Sequence, residues 1–110
     1  MKRLLICCLF GNTAITLAKK MQGVADAHRY QIQISGTGAD SFASLAPAFD
    51  CFLVAPHIQY KKEELKKAIK EGQHIEVIAG YPYAAIDAEK ILKFAIDRME
   101  ELVEIGRAHV

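Results

Sequence analysis

The chain has 110 residues, 52% of them hydrophobic and 25% charged, which suits one compact domain with a single core and makes two domains hard to fit. Its formal net charge of +1 gives no broad basic or acidic field, so nucleic acid is a poor default partner. The three cysteines, at positions 7, 8 and 51, lack the spacing of a disulfide framework and indicate a reducing cytoplasm. The apolar run at residues 4–10 is too short for a signal peptide or a membrane span, so we expect no direct membrane insertion.

The first half of the chain predicts two strands and two helices. These are a strand at 4–10, a helix from 14 to 25, a short strand at 30–34 and a weaker helix from about 40 to 45. The first strand is a continuous apolar run, which is typical of a strand that a parallel sheet covers on both faces. Thr13 resembles the N-cap of the first helix, and Gly36 and Gly38 mark a turn after the second strand.

The second half repeats this alternation. Its elements are a buried strand at 51–55, a helix at 61–71, a strand at 75–79, a turn at 80–83 and a last helix. Pro56 stops the third strand, Gly72 ends the helix before the fourth strand, and Asp87 can cap the last helix. Helical periodicity is lost near the end, so we predict one domain over residues 1–104 and a frayed tail at 105–110.

Strands that alternate with helices predict an α/β fold. We expect a single open four-stranded parallel sheet, doubly wound so that helices cover both faces. Ligands of such sheets bind beyond the carboxyl ends of the strands. The segments that reach this edge are 8–13, 35–39, 56–60 and 79–85. A functional site is therefore expected among these four segments.

Cys8 lies where the first strand passes into the first helix, and it is the candidate nucleophile. A helix N-terminus offers unpaired backbone N–H groups and the positive end of a dipole, which favour a phosphate or a thiolate. Gly11 permits the backbone angles that a ring of N–H donors requires. The sequence thus predicts a catalytic Cys8 and a phosphate held by Leu9, Phe10, Gly11, Asn12, Thr13 and Ala14. By pattern alone, an inert buried core cysteine is an equally good interpretation.

Position 14 separates two kinds of phosphate chemistry. Cysteine phosphatases place an arginine six residues after the nucleophile, where it clamps phosphate with two hydrogen bonds. Ala14 occupies that position here. Without the arginine, a transferring phosphoryl group is stabilised by backbone N–H groups alone or by a partner protein. The residues therefore favour a phosphate carrier, and a small cysteine phosphatase is the less favoured alternative.

The pattern Cys8-x-x-Gly11-x-Thr13 after an N-terminal strand resembles the IIB component of the lactose/cellobiose (diacetylchitobiose) class of bacterial sugar phosphotransferase systems. Residues 50–60 are similar to the Asp-(apolar)4-Gly-Pro-Gln-x-x-Tyr segment of that family, and the resemblance continues through 75–78, Tyr83 and Asp87. Residues from about 22 to 45 carry no matching motif.

The resemblance implies a cytoplasmic phosphotransferase subunit that takes part in sugar transport. A histidine of a IIA partner would pass its phosphoryl group to Cys8. Cys8 would then pass it to a sugar held by the membrane permease IIC, and that permease would largely determine which sugar is used. Backbone N–H groups from Leu9 to Ala14 would cradle the phosphate. We expect neither a cofactor nor a metal.

The loop after Cys8 departs from the family, whose corresponding segment is small and hydroxyl-rich. Hydroxyl groups are lost at Leu9, Ala14 and Ile15, and Thr13 is the remaining match. This leaves a second hypothesis open, a regulatory or interaction module of the same fold that binds the partners without transferring phosphate.

Three residues are predicted at the edge of the site, where the histidine could donate to phosphate and the two tyrosines would contact a partner, shape the surroundings of the loop or, as the favoured interpretation, pack against the sheet edge. They are His57, Tyr60 and Tyr83. His57 stands where the family has glutamine. Cys7, whose side chain points to the opposite face of the strand from Cys8, is predicted to be core packing, as is Cys51.

Overall fold

The computed structural model describes residues 2–71 and 73–108, and these contain four strands and five α-helices. The strands are β1 Lys2–Cys8, β2 Ile32–Gly38, β3 Cys51–Val54 and β4 His74–Val77. The helices are α1 Asn12–Ala27, α2 Ala39–Leu45, α3 Lys62–Lys66, α4 Gly80–Ala84 and α5 Ala88–Ala108. Short 3₁₀-helices follow α2 at Ala46–Ala48 and precede α3 at Pro56–Lys61.

All the strand pairs are parallel, in the spatial order β2-β1-β3-β4. β1 is flanked by β2 and β3, and its last five residues are buried, which explains its unbroken apolar sequence. At the carboxyl edge, Cys8 pairs with Gly38 and Cys7 pairs with Val54. The predicted four-stranded parallel sheet is confirmed.

Helices cover both faces of this sheet. The chain leaves β1 for β2 through α1, then crosses back to β3 through α2 and continues outward to β4 through α3. Because parallel crossovers are right-handed, this change of direction places α1 and α2 on opposite faces. In agreement, α1 packs against α5, and α2 packs against α3. The doubly wound arrangement predicted from the sequence is therefore confirmed.

Three predictions in the first half are wrong in detail. β1 ends at Cys8, so the two residues after it belong to a loop. β2 extends through Gly36 and Gly38, which the sequence placed in a turn, because its pairing with β1 continues to the end of that strand. Thr13 is not the N-cap of α1. Gly11 occupies that position with a φ of 93°, and no side chain caps the helix.

The helix predicted at 61–71 is shorter than expected, since α3 covers only its beginning. After α3, the backbone N–H groups of Ala68 and Ile69 bond to carbonyls three residues earlier, so the α-helical pattern does not propagate. Gly72, predicted as the C-terminal stop, lies outside the described residues. The segment predicted as a turn at 80–83 is the helix α4.

α5 begins where the sequence predicted a last helix. The Oδ1 of Asp87 accepts a hydrogen bond from the backbone N–H of Lys90 at 3.2 Å, as an N-cap does. The helix runs to Ala108, past the boundary predicted at residue 104, while 109 and 110 lie outside the described part of the chain. That domain boundary stays a prediction. None of the helices within the described ranges is long and apolar enough to cross a membrane.

Candidate functional site

Cys8 lies at the carboxyl end of β1 and is 4% exposed. Its Sγ accepts hydrogen bonds from the backbone N–H groups of Gly11, at 3.1 Å, and Ala14, at 3.4 Å. Gly11 is the N-cap of α1, and Ala14 belongs to its first turn. The sulfur therefore lies at the helix N-terminus, where the dipole and the backbone donors favour the binding of an anionic group such as phosphate.

Two more backbone N–H groups at this helix end have no acceptor among the described residues. Asn12 and Thr13 are the first two residues of α1, where no carbonyl one turn earlier can accept a hydrogen bond. Both residues are exposed. Groups of this kind bind phosphate at helix N-termini in many proteins. The site thus combines a cysteine sulfur with two unused donors beside it.

Two glycines of β2 make room for this loop. A Cβ atom added to Gly36 would lie 2.5 Å from the backbone nitrogen of Ile15 and closer still to the carbonyl group of Ala14. A Cβ added to Gly38 would lie 3.0 Å from the carbonyl carbon of Phe10. Sequence reasoning missed this role by treating the glycines as a turn. Two glycines within one strand are a usable signal, because they often mark the close approach of another backbone.

The residue at position 11 is restricted both by its backbone conformation and by the close approach of β2. Its φ of 93° lies in the left-handed region, which strains any residue with a side chain. In addition, a Cβ at this position would meet the backbone nitrogen of Gly38 at 2.9 Å. Glycine is therefore required at position 11 for both its conformation and its space.

The side chains of the loop contribute little to the site. Leu9 is partly buried against the core, and its carbonyl accepts a hydrogen bond from the backbone N–H of Ala39 at 3.2 Å. Phe10 is 84% exposed, whereas Ala14 is fully buried. The predicted phosphate-binding segment therefore presents backbone groups, rather than charged side chains, around the sulfur.

Tyr83, on α4, reaches this site from another element. The residue is 8% exposed, and its buried hydroxyl has no hydrogen-bond partner among the described residues. The side chains of Thr13 and Cys8 lie close enough to influence its pKa, although neither makes a hydrogen bond of normal geometry with it. Burial, followed by the effect of Cys8, raises the pKa of Tyr83 to about 12, so the hydroxyl keeps its proton at neutral pH.

The other two predicted edge residues are placed differently. His57 is exposed, and its ring packs against that of Tyr83 with centroids 5.7 Å apart and planes inclined at 50°. Tyr60 is 71% exposed, and the Nζ of Lys61 lies 5.8 Å from the centre of its ring. The structure thus brings Tyr83 close to Cys8 and packs His57 against Tyr83, whereas Tyr60 faces solvent.

Comparison with known proteins identifies the family. The family model described as "PTS system, Lactose/Cellobiose specific IIB subunit" matches residues 3–94. The chain belongs to this family. The resemblance that rested on Cys8, Gly11 and Thr13 is therefore confirmed, and the chain is a IIB component of a phosphotransferase system (PTS) of the lactose/cellobiose class.

Individual relatives agree with this assignment. The oligo-beta-mannoside-specific EIIB component of Bacillus subtilis (strain 168) is 28% identical over 100 residues, which cover 90% of this chain and 97% of the relative. The lactose-specific IIB domain of Streptococcus pneumoniae has the same fold, with a TM-score of 0.77 at 18% identity over 87% of this chain and 95% of that one. The cellobiose-specific IIB component of Borrelia burgdorferi gives a TM-score of 0.70 at 25% identity over 87% and 89% of the two chains.

The other two cysteines of this IIB component lie in its core. Cys7 and Cys51 are 0% and 2% exposed, as predicted, and neither forms a disulfide. Burial is the main cause that raises the pKa of the Cys7 thiol to about 12 and that of Cys51 to about 11. Both thiols are therefore protonated at neutral pH and are poor nucleophiles. Within the described part of the chain, no cluster of three or more His, Cys, Asp or Glu side chains could hold a metal ion.

Proposed function

We propose that this IIB subunit carries a phosphoryl group on Cys8, taken from a histidine of a IIA partner and passed to a sugar during transport through a IIC permease. The observation that carries the proposal is the position of the Cys8 sulfur at the N-terminus of α1. Gly11 and Ala14 already donate to the sulfur, and Asn12 and Thr13 have N–H groups to spare for phosphoryl oxygens.

The first transfer forms a sulfur–phosphorus bond and breaks a nitrogen–phosphorus bond. The Cys8 sulfur attacks phosphorus with an electron pair, the bonding pair leaves with the imidazole nitrogen of IIA, and the thiol proton ends on the freed imidazole. In the second transfer a sugar hydroxyl attacks phosphorus, the sulfur leaves with the bonding pair, and the hydroxyl proton is released. Backbone N–H donors stabilise the charge on the phosphoryl oxygens in both steps.

The buried Ala14 supports a carrier over a hydrolase. Its N–H donates to the Cys8 sulfur, but its methyl group cannot clamp phosphate as the arginine of a cysteine phosphatase does. A relay benefits from this arrangement, because the phosphocysteine has to persist until the next acceptor arrives. Rapid turnover of an aryl phosphate that vanishes in Cys8→Ala would revive the phosphatase alternative.

Exposed aromatic side chains around the site support partner proteins as donor and acceptor. Phe10, Tyr60 and Tyr81 follow the carboxyl ends of three parallel strands and are 84%, 71% and 78% exposed. Large exposed apolar side chains beside a reactive group are typical of interaction surfaces. We assign this edge to contact with IIA and IIC, and we place the subunit in the cytoplasm, where its three free cysteines stay reduced.

The test is incubation with a histidine-phosphorylated IIA subunit of the lactose/cellobiose class, followed by mapping of the phosphate by mass spectrometry. We expect phosphate on Cys8, no phosphate on Cys8→Ser, and unchanged labelling of Cys51→Ala, the matched control for loss of a thiol. Label on another residue, or label retained in Cys8→Ser, would overturn the proposal. Binding of IIA without any transfer would instead support the regulatory module.

A further inference from the structure

The hydroxyl of Tyr83 is a buried polar group that the proposed backbone cradle leaves unexplained. Its oxygen has no hydrogen-bond partner among the described residues, and the residue is more than nine-tenths buried. A buried donor without an acceptor destabilises a fold, so native structures rarely keep one without a use. A phenylalanine at this position would give the same packing without that cost.

The surroundings of the hydroxyl suggest its use. The side chains of Cys8 and Thr13 lie close enough to influence its pKa, and they belong to the loop where the phosphoryl group would lie. Burial keeps the phenol protonated, so it can donate a hydrogen bond throughout the neutral range. In the free protein, the sulfur of Cys8 makes no hydrogen bond of normal geometry with this hydroxyl. A phosphoryl group on that sulfur would bring three strongly accepting oxygens into the same space.

The surrounding structure holds the tyrosine in place. The ring of His57 packs on one side of it. At the end of α4, the N–H of Ile86 bonds to the carbonyl of Tyr83 at 3.0 Å, and the N–H of Asp87 bonds to the carbonyl of Pro82 at 2.9 Å. This pair of bonds is a Schellman motif, which fixes the helix end and therefore the backbone that carries the tyrosine.

We propose that the Tyr83 hydroxyl donates a hydrogen bond to the phosphoryl group carried by Cys8. The proposal rests on the phosphocarrier function proposed above. Tyr83 becomes the side-chain member of a cradle that is otherwise made of backbone N–H groups. It also explains how the loop tolerates the loss of hydroxyls at Leu9, Ala14 and Ile15, since a hydroxyl from α4 reaches the same group.

The test compares Tyr83→Phe with Tyr30→Phe, a matched control that precedes β2, at the opposite edge of the sheet from Cys8, and is 46% exposed. Each variant is mixed with histidine-phosphorylated IIA, and the equilibrium ratio of phospho-IIB to phospho-IIA is measured by mass spectrometry. We expect Tyr83→Phe to lower this ratio about tenfold, the effect of one lost hydrogen bond to a charged group. The Tyr30→Phe ratio should match that of the wild type.

Phosphorus NMR supplies a second measurement that a purely structural role would not change. A donor to the dianion stabilises it, so the phosphoryl group should titrate at higher pH in Tyr83→Phe than in the wild type or Tyr30→Phe. Removing an unpartnered hydroxyl should not weaken the free protein. A less stable Tyr83→Phe would mean that the hydroxyl already has a partner, which contradicts the inference.

The outcomes separate this inference from the proposal on which it rests. If wild-type Cys8 is phosphorylated and Tyr83→Phe has the same ratio and titration, the role of Tyr83 is refuted and the carrier function stands. If wild-type Cys8 takes up no phosphate, both proposals fall. A lowered ratio together with a shifted titration, in Tyr83→Phe alone, supports both.

Discussion

The substitution Gly36→Ala tests whether the close approach of α1 to β2 is needed to hold the site. Gly36 lies in β2 beneath the first turn of α1, and an added Cβ would come within 2.5 Å of the nitrogen of Ile15. Ordinary contact begins at 3.4 Å, so the helix end must move by roughly 1 Å. The obstructing atoms are backbone, which cannot rotate away as a flexible side chain can.

Two effects of this shift can be estimated. Overpacking of this kind destabilises a protein by about 1–3 kcal/mol. The same shift moves the N–H of Ala14, now 3.4 Å from the Cys8 sulfur, out of hydrogen-bond range. Misplacement of a reacting group by about 1 Å can lower a rate by about 100-fold. We therefore expect Gly36→Ala to be less stable and to accept phosphate from IIA far more slowly.

Stability is measured by urea unfolding followed by circular dichroism, since the chain has no tryptophan, and transfer is measured by the rate of Cys8 phosphorylation. The matched control is Gly23→Ala, an exposed position on α1 where an added Cβ meets nothing within 4 Å. Alanine there should raise stability by about 0.5–1 kcal/mol and leave transfer unchanged. Equal stability and transfer rate in Gly36→Ala and the wild type would refute the reasoning.

Three further predictions concern stability and use the same unfolding assay. Asp87→Ala removes the N-cap of α5 and should lower the free energy of unfolding by about 1 kcal/mol; no loss would show that the cap is unimportant. Arg29 follows α1 with a φ of 59°, so Arg29→Gly should raise stability by up to about 1 kcal/mol by relieving left-handed strain, and a lower value would contradict this. The pKa values of Cys7 and Cys51 are raised to about 12 and 11 in the fold from an ordinary 9.0, so their thiols ionise first in the unfolded chain. Stability should therefore fall as pH rises above about 9, and a flat profile up to pH 10.5 would disprove it.

The strands that could be predicted from the sequence are those that are buried in the sheet. β1 and β3 are buried along most of their length, and such positions accept only apolar side chains, so continuous apolar runs are a reliable sign of them. The sequence predicts an end of β2 that is too early, because glycine is rare in strands. Gly36 and Gly38 are there for a tertiary reason, the approach of α1, which a local pattern cannot reveal.

The site could be predicted only in part. The position of Cys8 between a strand and a helix is visible in the sequence, since both elements have clear periodicity. The burial of Tyr83 could not be predicted from the sequence, because Gly80 and Pro82 suggest a turn where the structure has α4. Proline is tolerated there because the first turn of a helix does not need its N–H. Once that segment is a helix, Tyr83 points inward rather than into solvent.

The burial of two side chains explains why the loop after Cys8 does not need the hydroxyl groups of the family. Leu9 packs against the core and Ala14 is fully buried, while their backbone groups bond to Ala39 and to the Cys8 sulfur. A hydroxyl at either position is not required for these bonds, so its loss leaves the backbone donors where they are. The residues that cannot be exchanged are instead the glycines that let the backbones approach each other. In our proposal, Tyr83 is a further residue of this kind. In our proposal, this IIB domain can therefore lack those hydroxyl groups without losing the backbone donors around the Cys8 sulfur.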